Sequence, residues 1–215
     1  MRVNNITKKY GDKVVLDNFS YNFEDGKITV ILGESGVGKT TLLNIIAGLD
    51  NDNYEIEKRS ISYVFQNDRL LPNLNIENNL KTVCKDIDVK SVLEEFELSN
   101  ATNLYPKELS AGMSRRVSII RALYYPAELL LMDEPFRNLD YYLKYKIMDI
   151  IKGQHKKNKN TIIMVTHDIS EAVYMADNIV LLDDMGKITY KTNKITQNTE
   201  KEILDKFLKK KWFIN

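Results

Sequence analysis

The chain alternates between short continuous apolar runs and segments whose apolar residues keep helical spacing. The continuous runs, which are typical of strands buried on both faces, occupy residues 28–32, 129–132, 162–165 and 179–182. Helical spacing appears between them, most clearly at residues 41–47, 111–123 and 143–151. Strands that alternate with helices in this way indicate an α/β fold built on a mostly parallel sheet.

The first part of the chain departs from this alternation. Residues 3–7 and 13–16 have strand character on either side of a turn at residues 10–12. Residues 21–23 alternate weakly and are expected to form another strand. Together these segments predict an antiparallel β lobe at the N-terminus.

The middle of the chain departs from the alternation a second time. After an alternating strand at residues 61–65, Pro72 prevents a helix until about Asn75, and helical spacing then resumes. We therefore expect an inserted α-helical lobe at approximately residues 67–115, within one domain that covers residues 1–215.

Two later segments complete the pattern. The polar, basic residues 154–160 predict a loop in which His155 is exposed. Residues 199–213 predict an amphipathic helix. The expected apolar face of that helix carries Ile203, Leu204, Phe207 and Leu208.

The composition excludes several classes of protein but does not identify the function. A chain of 215 residues can bury a full core, and its formal net charge of +1 gives no field that selects nucleic acid. The single cysteine, Cys84, excludes an internal disulfide. No apolar run approaches the roughly 18–20 residues of a membrane-spanning helix, and the polar start is unlike a secretory signal. We expect a cytoplasmic chain without a nucleic-acid partner, which meets a membrane only through another protein.

The residues that follow the first buried run carry the strongest motif. They read Gly-Glu-Ser-Gly-Val-Gly-Lys-Thr-Thr and fit the pattern G-x-x-x-x-G-K-[ST]. Gly33, Gly36 and Gly38 let backbone N–H groups turn inward, and the N-terminus of the next helix completes an anion cradle. Lys39 adds a positive charge for the β- and γ-phosphates, and the Thr40 hydroxyl can ligate Mg²⁺. The motif therefore predicts a P-loop that binds nucleotide phosphates.

A second candidate site lies at the end of another buried run. Asp133 and Glu134 are adjacent carboxylates there, and carboxylates in such a place are costly unless they have a function. A solvated turn is the alternative, but the phosphate-binding motif favours a metal and water site. Upstream of them, Ser110 is a suitable N-cap for the helix that follows.

With these motifs in this order, the chain resembles the ATP-binding-cassette (ABC) ATPases, the motor subunits of ABC transporters. The likeness runs from Tyr10 to about Leu182. The stretches that resemble family motifs are Lys9-Tyr10-Gly11 (adenine-stacking loop), Gln66 (Q-loop), Leu109–Met113 (LSGGQ signature), Leu129–Glu134 (Walker B), Asn138-Leu139-Asp140 (D-loop) and Thr166-His167-Asp168 (switch histidine). Taken alone, Tyr10 could equally be a half-buried aromatic residue of a turn.

The resemblance implies that two copies pack head to tail, as a homodimer, around two ATP molecules. The phosphate loop of one copy would face Ser110 and Gly112 of the other. The family's ATP site also includes the positions of Ser35, Thr41 and Asp140 in this chain.

The resemblance also implies the catalytic roles. Asp133, with Thr40 and Gln66, would hold Mg²⁺. Glu134 would polarise the attacking water, and His167 would contact the γ-phosphate beside Lys39. Gln66 would in addition link the site to the membrane subunits.

The sequence departs from the family pattern in its signature and in one connection. Ala111 replaces a glycine and Met113 replaces a glutamine, while Gly112 is retained. The connection from Gly48 to Gln66 is short, which predicts a trimmed antiparallel lobe.

The residues after Gln66 suggest a cargo class. Gln66–Pro72, together with a signature that ends in Gly-Met, resembles the ATPases of nitrate, sulfonate, taurine and thiamine-precursor importers, although Asn73 replaces their usual tryptophan. This likeness implies transmembrane permease subunits and a solute-binding protein as partners. The chain would then lie on the inner face of the cell membrane.

Three other classes of function fit the sequence less well than transport does. A soluble ABC ATPase acting on ribosomes or DNA usually has two cassettes or a long coiled coil, and the sequence shows neither. A P-loop kinase lacks the signature, and a GTPase needs an N-K-x-D motif that is absent here. A degenerate, non-enzymatic regulator is disfavoured because Glu134 and His167 are both present.

Overall fold

The computed structural model describes the backbone of residues 1–50, 52 and 54–212 and the side chains of the last helix as far as Lys206. In chain order the elements of this part are β1 (Arg2–Tyr10), β2 (Lys13–Asn22), β3 (Ile28–Leu32), α1 (Lys39–Ile46), β4 (Ile61–Val64), α2 (Ile76–Lys81), α3 (Val89–Glu95), α4 (Ala111–Tyr124), β5 (Leu129–Asp133), α5 (Tyr141–Asn158), β6 (Thr161–Thr166), α6 (Ile169–Met175), β7 (Asn178–Leu182), β8 (Ile188–Thr192) and α7 (Thr199–Trp212). The α/β fold class is therefore confirmed.

The described residues divide into two compact units. The first contains Met1–Lys58 and the chain from Thr161 onward, and the second contains Arg59–Asn160. The helices α2 and α3 of the second unit fall within the expected helical lobe at residues 67–115. That lobe and the single domain over residues 1–215 stay predictions.

A mostly parallel sheet forms the centre of the first unit. Its strands have the order β6-β3-β7-β8, in which β3 is parallel to both neighbours and only β8 is antiparallel. Every residue of β3, β6 and β7 is buried. This burial on both faces explains why these strands appear in the sequence as continuous apolar runs.

The antiparallel lobe of the first unit consists of β1 and β2. Residues 13–16 and 21–23 were expected to be separate strands, and that expectation is wrong, because β2 is continuous over Lys13–Asn22. Instead of ending, β2 is bulged at Asn18, which takes a left-handed φ angle of 53°. Asn5 of the paired strand β1 takes one of 51°, and the pairing register shifts near both residues.

In the second unit, β4 and β5 form a parallel pair, and α4 packs against β4. The loop expected at residues 154–160 is wrong, since α5 continues to Asn158 and ends in a left-handed Lys159 with φ 52°. His155 is half-buried, not exposed. Lysine is a good helix former, and basic side chains in the last turn of a helix are stabilised by the negative end of the helix dipole. The basic residues therefore extend α5.

The last helix, α7, lies within the expected range of residues 199–213, but the apolar face expected for it is wrong at Leu204. Ile203 is buried, whereas Leu204 is 42% exposed, so the two do not share a buried face as expected. The side chains of Phe207 and Leu208 lie outside the described residues. Within the described chain, no helix combines the length and apolar character that crossing a membrane requires.

A buried amide holds the segment that follows Gln66. Asn79 of α2 is completely buried, and its Oδ1 accepts a hydrogen bond from the Leu71 N–H at 2.8 Å. Its Nδ2 donates to the carbonyl oxygens of Leu71, Leu74 and Asn75 at 3.0, 2.8 and 3.1 Å. One side chain therefore folds this segment back onto α2.

We expect Asn79→Ala to lower the free energy of unfolding by about 1–3 kcal/mol, because the carbonyls of Leu71, Leu74 and Asn75 lose this donor. Urea denaturation measures this loss. Asn78→Ala is the matched control, since Asn78 is the exposed neighbour in the same helix, and it should change stability by less than about 0.5 kcal/mol. Equal losses in the two variants would show that the amide does not hold the segment.

Candidate functional site

The phosphate loop joins β3 to α1 in the first unit. β3 ends at Leu32, and α1 begins at Lys39. The Lys39 ammonium donates to the carbonyl oxygens of Gly33 and Glu34, each at 2.8 Å, and Lys39 is 5% exposed. The loop therefore wraps around its own lysine and holds a positive charge within the turn.

The last glycine of the loop is required by its surroundings. Gly38 precedes α1 with a φ of 95°, and a Cβ there would lie 2.2 Å from the carbonyl oxygen of Val15. No side chain caps the first turn of α1. A helix N-terminus without a side-chain cap, reached through glycines, is the arrangement in which backbone N–H groups bind an anion.

The polar side chains of the loop differ in exposure. Ser35 and Thr40 are exposed, and Thr41 is half-buried. Gly36 lies between them with a φ of 82°, which a residue with a side chain rarely adopts. The loop therefore presents hydroxyl groups and backbone to solvent, while its lysine is enclosed.

The end of the β1–β2 hairpin reaches the phosphate loop through Lys13. Tyr10 pairs with Lys13 at the end of the hairpin, and the Lys13 ammonium lies 3.9 Å from the Cβ position of Gly36. Tyr10 is 56% exposed, and the Lys8 ammonium is 5.5 Å from its ring centroid. No sequence motif marks Lys13, whose only signal is a basic residue next to the hairpin turn.

His167 follows β6 at the same edge of the sheet. Leu32 of β3 is in register with Thr166 of β6, so the phosphate loop and His167 leave neighbouring strand ends. The Thr166 hydroxyl donates to the Glu171 carboxylate at 2.6 Å and accepts from the Asp168 N–H at 3.1 Å. These bonds fix the turn and leave His167 exposed.

The adjacent carboxylates lie at the end of β5 in the second unit. Asp133 is the last residue of β5 and is 2% exposed. Glu134 is half-buried and takes a φ of 45°, a left-handed conformation that is uncommon outside glycine. Burial, and then the charge of Asp133, raises the pKa of the Tyr63 hydroxyl, so this phenol is neutral at physiological pH.

Gln66 follows the strand that neighbours β5. Val64 of β4 is in register with Met132 of β5, so Gln66 and the carboxylates leave the same edge of this strand pair. Gln66 is exposed. Ligands of parallel sheets bind outside the carboxyl ends of the strands, which is where these side chains lie.

The signature residues begin α4. Ser110 is the N-cap as expected, and its exposed hydroxyl accepts from the Met113 N–H at 3.2 Å. Ala111, the first residue of the helix, has no left-handed φ angle, so its methyl group causes no backbone strain. A Cβ on Gly112 would lie 3.1 Å from the carbonyl oxygen of Asn138, so the glycine permits close approach of the D-loop.

Asp140 of the D-loop has a local partner. Its carboxylate caps α5 by accepting from the Leu143 N–H at 3.0 Å. The preceding Asn138 takes a φ of 64°, which turns the chain towards this cap. The expected contribution of Asp140 to an ATP site therefore stays a prediction.

Each unit thus gathers its own share of the predicted site residues. The first unit brings together the phosphate loop, the end of the hairpin that carries Tyr10, and the turn of His167. The second unit brings together Gln66, the carboxylate pair, the signature and the D-loop.

Comparison with known proteins agrees with these motifs. The model of the ABC transporter family matches residues 16–137. The aliphatic sulfonates import ATP-binding protein SsuB of Bacillus cereus is 38% identical over 210 residues, which cover 89% of this chain and 82% of that protein.

Two solved structures are also similar. A dimeric bacterial ABC transporter cassette is 29% identical with a TM-score of 0.77, covering 89% of this chain and 97% of that one. A dimeric post-hydrolysis state of an ATP-binding cassette, bound to ADP and Pi, is 28% identical with a TM-score of 0.75 and the same coverage, 89% and 97%.

We expect Gly38→Ala to weaken nucleotide binding by roughly tenfold or more, about 1.4 kcal/mol, because its methyl group would collide with Val15 and reshape the loop. Equilibrium titration with a fluorescent ATP analogue measures the affinity. Gly153→Ala is the control, since that helical glycine has nothing within 4 Å of its Cβ position. An affinity like that of the parent chain in Gly38→Ala would show that the phosphate loop is not part of the nucleotide-binding site.

Proposed function

This chain belongs to the ABC transporter family, and we propose that it powers the uptake of a small sulfonate-type solute. Family membership makes it an ATPase, the nucleotide-binding subunit of a transporter, and the similar cassettes are dimers. Support for the cargo comes from the name of the Bacillus cereus relative and from the segment Gln66–Pro72. The observation that carries the ATPase function is the phosphate loop closed around Lys39.

The first unit supplies the groups that hold ATP. We assign the adenine ring to exposed Tyr10 and the γ-phosphate contact to His167. The phosphates are assigned to the loop residues Gly33, Ser35, Gly36, Gly38, Lys39, Thr40 and Thr41. For Lys39, the two carbonyl contacts place the ammonium within the loop to which the phosphates are assigned.

The available donors fit a Mg²⁺ ion. They are the Thr40 hydroxyl, the Gln66 side-chain carbonyl and the Asp133 carboxylate, all hard oxygen ligands. Among the residues that the structure describes, no three His, Cys, Asp or Glu side chains are grouped to hold a metal. Mg²⁺ beside ATP needs no such group, because it keeps several waters and uses the phosphates as ligands. When bound, Mg²⁺ would offset the charge on the β- and γ-phosphates.

Glu134 is assigned to the attacking water. It differs from Asp133 in burial, since Asp133 is 2% exposed whereas Glu134 is half-buried. An enclosed carboxylate suits a fixed metal ligand, and a more accessible carboxylate suits a group that must accept a proton from water. The φ of 45° at Glu134 turns the chain out of β5 and separates the two roles.

The signature is assigned to the ATP held by a second copy. The exposed Ser110 stands at the N-terminus of the 14-residue helix α4, where the helix dipole favours a phosphate. Gly112 leaves room for the Asn138 carbonyl of the D-loop, and we assign Asp140 of that loop to the same ATP. This assignment requires two chains for each complete site, which agrees with the dimeric state of the similar cassettes.

The proposed partners follow from transport. They are a second copy of this chain, transmembrane permease subunits and a solute-binding protein, with the chain on the cytoplasmic face of the membrane. The relative's name describes an import ATP-binding protein for aliphatic sulfonates, which supports this set. We propose no nucleic-acid partner, because the net charge of +1 gives no general attraction to one.

We expect Glu134→Gln to slow ATP hydrolysis by roughly 10²–10⁴-fold, the share of a general base, while ATP binding persists. Phosphate release gives the rate and nucleotide titration gives the affinity. Asp133→Asn is the comparison, and it should weaken the Mg²⁺-dependent part of ATP binding. Hydrolysis at the parent rate by the Glu134→Gln chain would contradict the assigned role.

The cargo is tested in the complete transporter. We expect ATP hydrolysis by the complex of this chain, its permease and its solute-binding protein in vesicles to rise with an alkanesulfonate, because the proposed uptake couples hydrolysis to the presence of the cargo. Nitrate and sulfate serve as the comparison anions. Stimulation by nitrate alone would reassign the cargo, and failure of any permease to co-purify with the chain would favour a soluble ATPase.

A further inference from the structure

Arg115 is a buried arginine that the sequence analysis did not single out. It lies in the second turn of α4, shortly after Ser110, and is 2% exposed. A guanidinium group has five N–H donors in a fixed plane. Each of these donors has an acceptor: Nε bonds the Pro135 carbonyl, Nη1 bonds Phe65 and Asp68, and Nη2 bonds Asp133 and Glu134. The side chain therefore uses its full bonding capacity within the second unit.

Three of these acceptors are consecutive backbone carbonyls. The oxygens of Asp133, Glu134 and Pro135 lie 2.8, 2.7 and 2.8 Å from the guanidinium nitrogens. Successive carbonyls of an extended strand point in opposite directions, so they can meet one cation only where the chain turns. The φ of 45° at Glu134 supplies that turn. Arg115 thus holds the backbone of Glu134 in a conformation that the residue would otherwise seldom adopt.

The other two acceptors lie on either side of Gln66. Nη1 donates to the Phe65 carbonyl at 2.5 Å and to the Asp68 carboxylate at 3.1 Å. Asp68 is also an ion-pair partner of the guanidinium and is 20% exposed in its side chain. The start of the Gln66 loop is therefore fixed to the same group as Glu134.

We propose that Arg115 is a positioning residue that fixes Glu134 and the Gln66 loop to the signature helix, so that these three segments move together. This inference rests on the proposed roles of Glu134, Gln66 and Ser110. A displacement of α4, when Ser110 meets the phosphate of a second chain, would move the Glu134 backbone with it. Hydrolysis would thereby depend on the engagement of the signature, although Arg115 itself touches neither ATP nor water.

Arg115→Lys is the first test, because lysine keeps the charge but has three donors in place of five. Misplacing a catalytic group by about 1 Å can cost 10²-fold, so we expect kcat to fall by about 10- to 100-fold. The affinity for ATP should stay within about twofold, since the phosphate loop belongs to the other unit. Amide hydrogen exchange should rise by about tenfold or more at residues 65–69 and 134–138, without nucleotide present.

Arg116→Lys is the matched control in the same helix. Its guanidinium also donates to backbone carbonyls, those of Phe96 and Glu97 at 2.9 Å each and that of Gly112 in its own helix at 3.2 Å. None of these carbonyls belongs to the Glu134 or Gln66 segments. This variant should increase exchange near residue 97 and leave exchange at residues 134–138 unchanged. Its kcat should stay within about twofold of the parent value.

A second variant keeps the proposal testable if Arg115→Lys does not fold. Asp68→Ala removes one acceptor at a partly exposed position, and it should increase exchange at residues 65–69 and lower kcat by several-fold, about 3- to 10-fold. Unchanged exchange in both variants, or raised exchange with parent kcat, would overturn the positioning role. ATP hydrolysis at the parent rate by the Glu134→Gln chain would instead overturn the catalytic role of Glu134. The exchange data would still show whether Arg115 holds the two segments.

Discussion

The contact between the β1–β2 hairpin and the phosphate loop is the constraint on which the first unit depends. The carbonyl oxygen of Val15 occupies the space where a Cβ on Gly38 would lie, at 2.2 Å. Only glycine fits there without displacing the hairpin. The hairpin end also places the Lys13 ammonium 3.9 Å from the Cβ position of Gly36, beside the loop. The proposed nucleotide binding therefore rests on one close backbone approach as well as on the charge of Lys39.

The second unit is organised by a charge rather than by a close approach. The Arg115 guanidinium gathers carbonyls from the end of β5 and from the end of β4, the two strand ends that carry the carboxylates and Gln66. Buried carbonyls that lose their donors are costly, so these strand ends resist independent movement. An ATPase benefits from such a restraint, because phosphoryl transfer depends mostly on the placement of charged groups.

The sequence was informative where a function rests on neighbouring residues. The phosphate loop, the Ser110 cap and the buried strands follow from local spacing, and the structure confirms the cap and the strands. It was uninformative where tertiary packing decides. The bulge at Asn18 keeps β2 continuous, and the basic residues 154–158 extend α5. Arg115 looked like any helical arginine, since its acceptors lie 18–20 and 47–50 positions away in the sequence.

The central claim is that the phosphate loop of one chain and the signature of another close around the same ATP. Sedimentation velocity of the Glu134→Gln chain, with and without saturating MgATP, tests this most directly. We predict a monomer without nucleotide and a stable dimer with one ATP per chain when MgATP is present. A chain that stays monomeric in saturating MgATP and still hydrolyses it at the parent rate would contradict the claim.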